Sequence, residues 1–181
     1  MSTTSSASTT IMIIRTGTEA DYRLLPGLEA RSDETYLSLP GFEKLMGQPN
    51  ITAETGPASH PGSVLFIAEH GDVPVGFVYA HDLDDCSFIA QIAVVPEAQG
   101  AGAGSALLAA LRDAAQTGGR RGVTLTTYVD VPWNAPFYAR RGFRRLAPDE
   151  MGPGLAASLA RDVARWSRFG ERCAMGLHFH S

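Results

Sequence analysis

The sequence predicts an α/β (α+β) fold, a mixed, largely antiparallel twisted sheet flanked by helices. Three observations carry this expectation. Apolar runs of strand length follow one another from residue 64 to residue 95 with only short polar turns between them. The last run leads through a glycine-rich turn into a helix-period stripe of Leu107, Leu108, Leu111 and Ala115. Strand-like and helix-like segments then alternate to the C-terminus, an order that suits a layered α/β arrangement.

Taken in order, Ile11 to Arg15 is a short apolar strand. Thr18, with Asp21 three residues on, resembles a capping box and starts a helix. That helix bends at Pro26-Gly27 and continues from Leu28 to Tyr36. Leu39-Pro40-Gly41 breaks it before a short helix over 42–46. Gln48 to Ser63, rich in Pro, Gly, Thr and Ser, is a loop. Val64 to Glu69 and Val73 to His81 form a hairpin about His70-Gly71-Asp72. The turn Asp82 to Asp85 leads into the strand Ser87 to Val95, which stops at Pro96. Gly118-Gly119 ends the helix that follows. Val123 to Val129 is the next strand, and Asn134 is suited to N-cap a short helix. Gly142 to Leu146 begins another strand. Gly152-Pro153-Gly154 opens a helix with Leu155, Leu159, Val163 and Trp166 on one side, and Glu171 to Phe179 is the last strand.

A chain of 181 residues with 44 % hydrophobic and 19 % charged content suits one globular domain, here residues 11–181 behind a solvated tail over 1–10. No apolar run approaches the ~18–20 residues that span a membrane. The serine- and threonine-rich start lacks the basic and apolar parts of a secretory signal. No membrane partner is expected, and the location expected is cytoplasmic. A net charge of −4 argues against nucleic acid. The two cysteines, Cys86 and Cys173, read as reduced thiols rather than a metal site, and His178 and His180 as an exposed strand face.

The stretch Gln99-Gly100-Ala101-Gly102-Ala103-Gly104-Ser105 joins a strand to a helix. Glycines there admit unusual backbone angles, and the first helical turn aims free N–H groups and a positive dipole end at an anion. A nucleotide P-loop fails because Gly104 is followed by Ser105-Ala106 with no lysine, and a dinucleotide fingerprint fails because Ser105 or Leu107 occupies its third glycine position. The stretch does resemble the acetyl-CoA loop of the GCN5-related N-acetyltransferase (GNAT) family, Gln/Arg-x-x-Gly-x-Gly/Ala, matched by Gln99, Gly102 and Gly104. Ile92-Ala93-Val94-Val95-Pro96-Glu97 resembles that family's fourth strand and its exit. Asn134 through Phe143, with Phe137-Tyr138 and Gly142-Phe143, resembles its second signature. Asn134 stands four residues before Tyr138, closer than is usual in the family.

The resemblance implies a GNAT-type sheet with a V-shaped opening between strands 4 and 5, and acetyl-CoA lying in it. It implies pyrophosphate on Gln99, Gly100, Ala101, Gly102, Ala103, Gly104 and Ser105, and a cofactor contact at Asn134. The main chain of Ile92, Ala93 and Val94 would hold the thioester and pantetheine beside a bulge that frees an N–H. Tyr138 would protonate the leaving thiolate. Acetyl transfer also needs a neutral amine, and an alkylammonium is only about 0.1 % neutral at pH 7, a cost of roughly 4 kcal/mol. The fifth strand carries Thr126 where some relatives have a glutamate. Candidates for the base are Gln91 through a water, Glu29, Glu34, His81, Asp82, Asp84 and Asp85. The function expected is transfer of acetyl from acetyl-CoA to a primary amine of a small molecule. A protein or peptide acceptor, or a non-catalytic acyl-CoA-binding protein, are the alternatives. Acidic residues 82–85 suggest a cationic acceptor, and residues 29–46 and 155–166 should wall its side of the cleft. A homodimer is common among soluble enzymes, but no interface is readable.

Overall fold

The computed structural model describes residues 12–43, 60 and 62–179. The tail over 1–10, the expected helix over 42–46 from residue 44 onward, and nearly all of the loop before Val64 lie outside the described residues.

Among the described residues seven strands form one sheet: β1 (Met12–Thr16), β2 (Val64–His70), β3 (Val73–Leu83), β4 (Cys86–Val94), β5 (Gly122–Tyr128), β6 (Arg144–Arg145) and β7 (Arg172–His178). Their spatial order is β1-β2-β3-β4-β5-β7-β6. Every pairing is antiparallel except β4 with β5. That exception follows from connectivity. A helix, α2 (Ala103–Thr117), joins β4 to β5, and a crossover of this kind returns the chain parallel. Val75 to Ala80 on β3 is buried without a break, so the middle of the sheet is covered on both faces.

The capping box at Thr18 forms. The Asp21 carboxylate accepts hydrogen bonds from the Thr18 N–H at 2.7 Å and its hydroxyl at 2.9 Å, and it pairs with Arg15 at 2.8 Å. The Arg15 guanidinium holds that carboxyl well below the usual range. The segment it opens is 3-10 from Glu19 to Leu24, and α1 (Leu25–Asp33) starts there rather than bending. Proline has no N–H to give, so Pro26 fits the first turn of a helix and no later one. A second 3-10 stretch, Glu34–Ser38, carries the chain on.

The helices α3 (Ala135–Ala139) and α4 (Pro153–Trp166) follow β5 and β6. On α4 the expected apolar side is rotated. Leu155, Ser158 and Trp166 are buried, while Val163 is 41 % exposed. The inward row therefore includes polar residues, because part of it faces a cleft rather than the core. The α4 N-terminus is capped from afar: the Asp84 carboxylate accepts the Gly154 N–H at 3.0 Å and the Leu155 N–H at 2.7 Å. Among the described residues no helix is long and apolar enough to cross a membrane.

Candidate active-site cleft

β4 and β5 pair only at Ser87–Val123 and Phe88–Thr124. From Ile89 onward they part, and a cavity of about 920 Å³ opens between them. Its walls are β4, the glycine-rich loop, β5, the segment around α3, residues 32–36 and the inward face of α4.

The exposed edge of β4 can be read from its pairing. The Val95 N–H donates to the Val75 carbonyl at 2.9 Å, and the register from Gly76–Val94 to Tyr79–Gln91 is unbroken. Two-residue alternation then turns the amide of Ala93 toward β3, and those of Ile92 and Val94 toward the opening. Gln99 Nε2 donates to the Val94 carbonyl and to Thr35 Oγ1, each at 2.9 Å, so this side chain staples the loop to its surroundings. The bulge expected at Ile92–Val94 lies earlier. Register shifts between Tyr79 and Ala80, leaving Ala90 as the extra residue on β4.

In the loop, Gly100 has φ +77° and Gly102 has φ +90°. A Cβ at either would meet no protein atom within 4 Å, so the left-handed backbone is what demands glycine. Gly104 differs: a Cβ there would lie 3.2 Å from the Phe137 ring. All of 99–105 except the exposed Ala101 line the cleft. The first turn of α2 leaves the N–H groups of Ala103, Gly104 and Ser105 without helical acceptors, beside its positive dipole end. Arg141 stands next to them. Its guanidinium lies 3.6 Å over the Phe137 ring, donates to the Phe137 carbonyl at 2.8 Å and to Ser105 Oγ at 3.1 Å. Sequence reasoning passed over Arg141. The signal was its place inside the second signature.

Tyr138 lines the cleft and is 5 % exposed. Burial, then the nearby Tyr36, raises its phenol above the ordinary value, which keeps the proton on the oxygen at any physiological pH. Asn134 occupies the N-cap position of α3, but its side chain does not cap. Its Nδ2 donates to the Tyr36 hydroxyl at 2.8 Å, holding that ring against the cleft.

The expected bases divide sharply. Glu29 is fully buried and accepts from Gln91 Nε2 at 2.9 Å. Glu34 is exposed and does not line the cleft. Neither do Asp82, Asp84 and Asp85. Asp82 pairs with Arg120 at 2.6 Å and Asp84 caps α4, so these two carboxylates of the acidic turn are engaged in the fold and stand outside the cleft. His81 does line it, stacked on His60 at 4.3 Å, and burial lowers its pKa. The carboxylate that sequence reasoning missed is Asp33, on the last turn of α1. It lines the cleft, and among the described residues no arginine or lysine pairs with it. Burial and the charge of Glu29 push its pKa up to about 7. Glu29 and Asp33 stand four residues apart, hence on one helix face, which was the available signal. Opposite them, Thr126 donates to Asp162 of α4, and Arg172 Nη2 of β7 pairs with the same carboxylate at 2.6 Å. Cys86 and Cys173 are buried free thiols away from the cleft.

The sequence model of the acetyltransferase (GNAT) family matches residues 29–143. This is more than half of the chain, and the chain belongs to that family. It is accordingly an acetyl-CoA-dependent acetyltransferase. Solved structures share its fold. A GNAT-family acetyltransferase from Staphylococcus aureus Mu50 superposes with a TM-score of 0.67 at 13 % identity, covering 94 % of this chain and 100 % of that one. The ribosomal-protein-S18-alanine N-acetyltransferase of Escherichia coli gives 0.61 at 17 %, covering 94 % and 96 %. The N-acetylglutamate synthase of Neisseria gonorrhoeae, complexed with coenzyme A and L-arginine, gives 0.65 at 19 %, covering 94 % of this chain and 34 % of that one. At these identities the likeness is one of fold.

Proposed function

We propose that this chain moves the acetyl group of acetyl-CoA directly onto a primary amine of a small molecule. One observation carries the reading: the parting of β4 from β5 at Ile89 brings the α2 N-terminus, the free edge of β4, Tyr138 and Asp33 into a single cavity. In this reading the pyrophosphate lies on the N–H groups of the loop and first turn, with Arg141 beside it. The free amides of Ile92 and Val94 hold the pantetheine arm as an added strand and polarise the thioester carbonyl. Asp33, whose raised pKa suits a base working near neutrality, takes a proton from the bound ammonium; the neutral amine attacks that carbonyl and its second proton leaves to water. The C–S bond then breaks, and Tyr138 gives the thiolate its proton. The phenol is less acidic than a thiol, so the transfer is transient and water restores the tyrosine.

A small acceptor is favoured because bulky side chains from several elements, among them Tyr36, Trp133 and Trp166, line the same cleft as Tyr138 and Asp33. A protein acceptor, as the Escherichia coli relative's name describes, is the second reading. Thiol release from acetyl-CoA, measured against small amines, amino acids and peptides, tests both. Turnover of small amines and amino acids well above peptides is expected. Peptides turned over faster would replace the first reading with the second, and CoA binding without thiol release would mark a binding protein.

A further inference from the structure

The cleft wall carries buried polar groups that no protein atom satisfies. Four buried side-chain polar atoms among the described residues have no hydrogen-bond partner: His60 Nδ1, Tyr128 Oη, Trp133 Nε1 and Arg172 Nε. All four belong to residues that line this one cavity. Three of them gather at one place. The Arg172 guanidinium lies 4.4 Å over the Tyr128 ring, and Tyr128 and Trp133 share one aromatic cluster, both packed against Tyr36. The Tyr128 hydroxyl is close to Arg172 but outside hydrogen-bonding geometry. Trp Nε1 and Arg Nε can only donate, and buried donors left unpaired are costly. They mark a place for an acceptor atom.

The adjoining wall of α4 adds charge. Arg161 and Arg165, one turn apart, both line the cleft. Arg161 donates to Ser158 Oγ at 2.9 Å, and Arg165 lies 4.3 Å over the Trp166 ring. Neither pairs with a carboxylate among the described residues. Three guanidiniums in these walls stand against two carboxylates, Asp162 and the partly protonated Asp33, which leaves an excess of at least one positive charge. That excess complements a single carboxylate better than a dianionic phosphate, which the two acids would repel.

We propose that the acceptor is a carboxylate-bearing amine of the amino-acid class, its carboxylate held by Arg161, Arg165 and the unpaired donors of Arg172, Tyr128 and Trp133, its ammonium directed to Asp33. This rests on the acetyltransferase reading above. It replaces the cationic acceptor that the acidic turn suggested, since that turn is consumed in capping α4 and pairing Arg120.

The test uses matched acceptors: L-amino acids, their amides, and the amines that lack the carboxyl group altogether. Thiol release is followed for the wild type, for Arg161→Gln/Arg165→Gln, and for Arg168→Gln, whose guanidinium lies over Phe169 outside the cleft. The free carboxylate form should exceed its amide at least ~10-fold in kcat/KM, through KM. The double variant should abolish that preference and Arg168→Gln should retain it. Amides or plain amines turned over as well as the amino acids would overturn the proposal, as would a preference that survives in the double variant. Calorimetry of N-acetyl-amino acids on the CoA-loaded protein separates the two readings. Binding that depends on Arg161 and Arg165 without any turnover would sustain the carboxylate site while acetyl transfer fails. Absence of such binding, with amines still acetylated, would overturn the site and leave acetyl transfer standing.

Discussion

The two halves of the cleft are built from different materials. The half at the glycine loop is made of backbone: the first turn of α2, the left-handed Gly100 and Gly102, and the unpaired edge of β4. Its residues lie close together in sequence, between Gln91 and Ser105. The other walls are made of side chains from α1, the 3-10 stretch after it, β5, α4 and β7, some 140 residues apart at the extremes between Asp33 and Arg172. Backbone recognition tolerates most side chains and fixes a ligand common to many proteins. Side-chain recognition from scattered elements can vary residue by residue, so in the proposed reading specificity resides there.

Substitutions can sharpen or break this contrast. The largest effect is expected at Gly102→Val. A β-branched residue at φ +90° is a steric outlier, and the loop must rearrange to relieve it. CoA affinity by calorimetry should fall about 100-fold, a loss equivalent to roughly 2.7 kcal/mol, while Ala101→Val, on an exposed residue outside the cleft, should bind normally. Equal affinity in the two variants would deny the loop its backbone role.

Tyr138→Phe comes next. It should lower kcat by about 10²-fold, the scale of lost acid catalysis, with CoA affinity unchanged, because the ring still packs edge-on to Phe143 at 5.6 Å. An unchanged kcat would make Tyr138 a packing residue.

Asp33→Asn should lower kcat/KM by about 10-fold or more and remove the inflection near pH 7, leaving only the rise set by deprotonation of the amine. In the wild type kcat/KM should rise through a pH of about 7, where this carboxyl loses its proton. Stability must move the other way. The folded-state pKa lies above the unfolded value, so the wild type binds more protons folded than unfolded between about 4 and 7, and it loses stability as pH rises across that window. The asparagine variant escapes this loss. Its advantage in Tm should grow from pH 4 to pH 7 and then level off. A constant difference in Tm would mean that Asp33 titrates normally.

The smallest effect is expected at Asp84→Ala. Losing the cap of α4 should cost ~1 kcal/mol, a few degrees in Tm. Acceptor KM should rise a few-fold through the displaced α4 wall, with CoA affinity held. A change in CoA affinity instead would show the two halves to be coupled.

Much of the fold was legible because strands β2 to β5 and helix α2 are local patterns: apolar runs, tight turns and a 3.6-residue stripe. The capping box at Thr18 was legible for the same reason. The bend expected at Pro26 was misplaced because proline looks the same in sequence whether it interrupts a helix or opens one. The apolar side of α4 was misassigned because periodicity marks an inward face without saying whether a core or a cleft lies inward.

The half at the glycine loop could be read from the sequence alone: a strand, a turn that needs glycine at two left-handed positions, and a helix N-terminus are consecutive, so their geometry is written in order. Tertiary structure alone decided the rest. It set Asp33 beside Glu29 in a partly buried place, which raises its pKa, and it spent Asp82 and Asp84 on Arg120 and α4. It joined Thr126, Asp162 and Arg172 from three elements into one polar wall. The physical reason is that desolvation and pairing depend on neighbours in space. A carboxylate in a sequence carries no sign of whether it will meet water, an arginine or another carboxylate once the chain has folded.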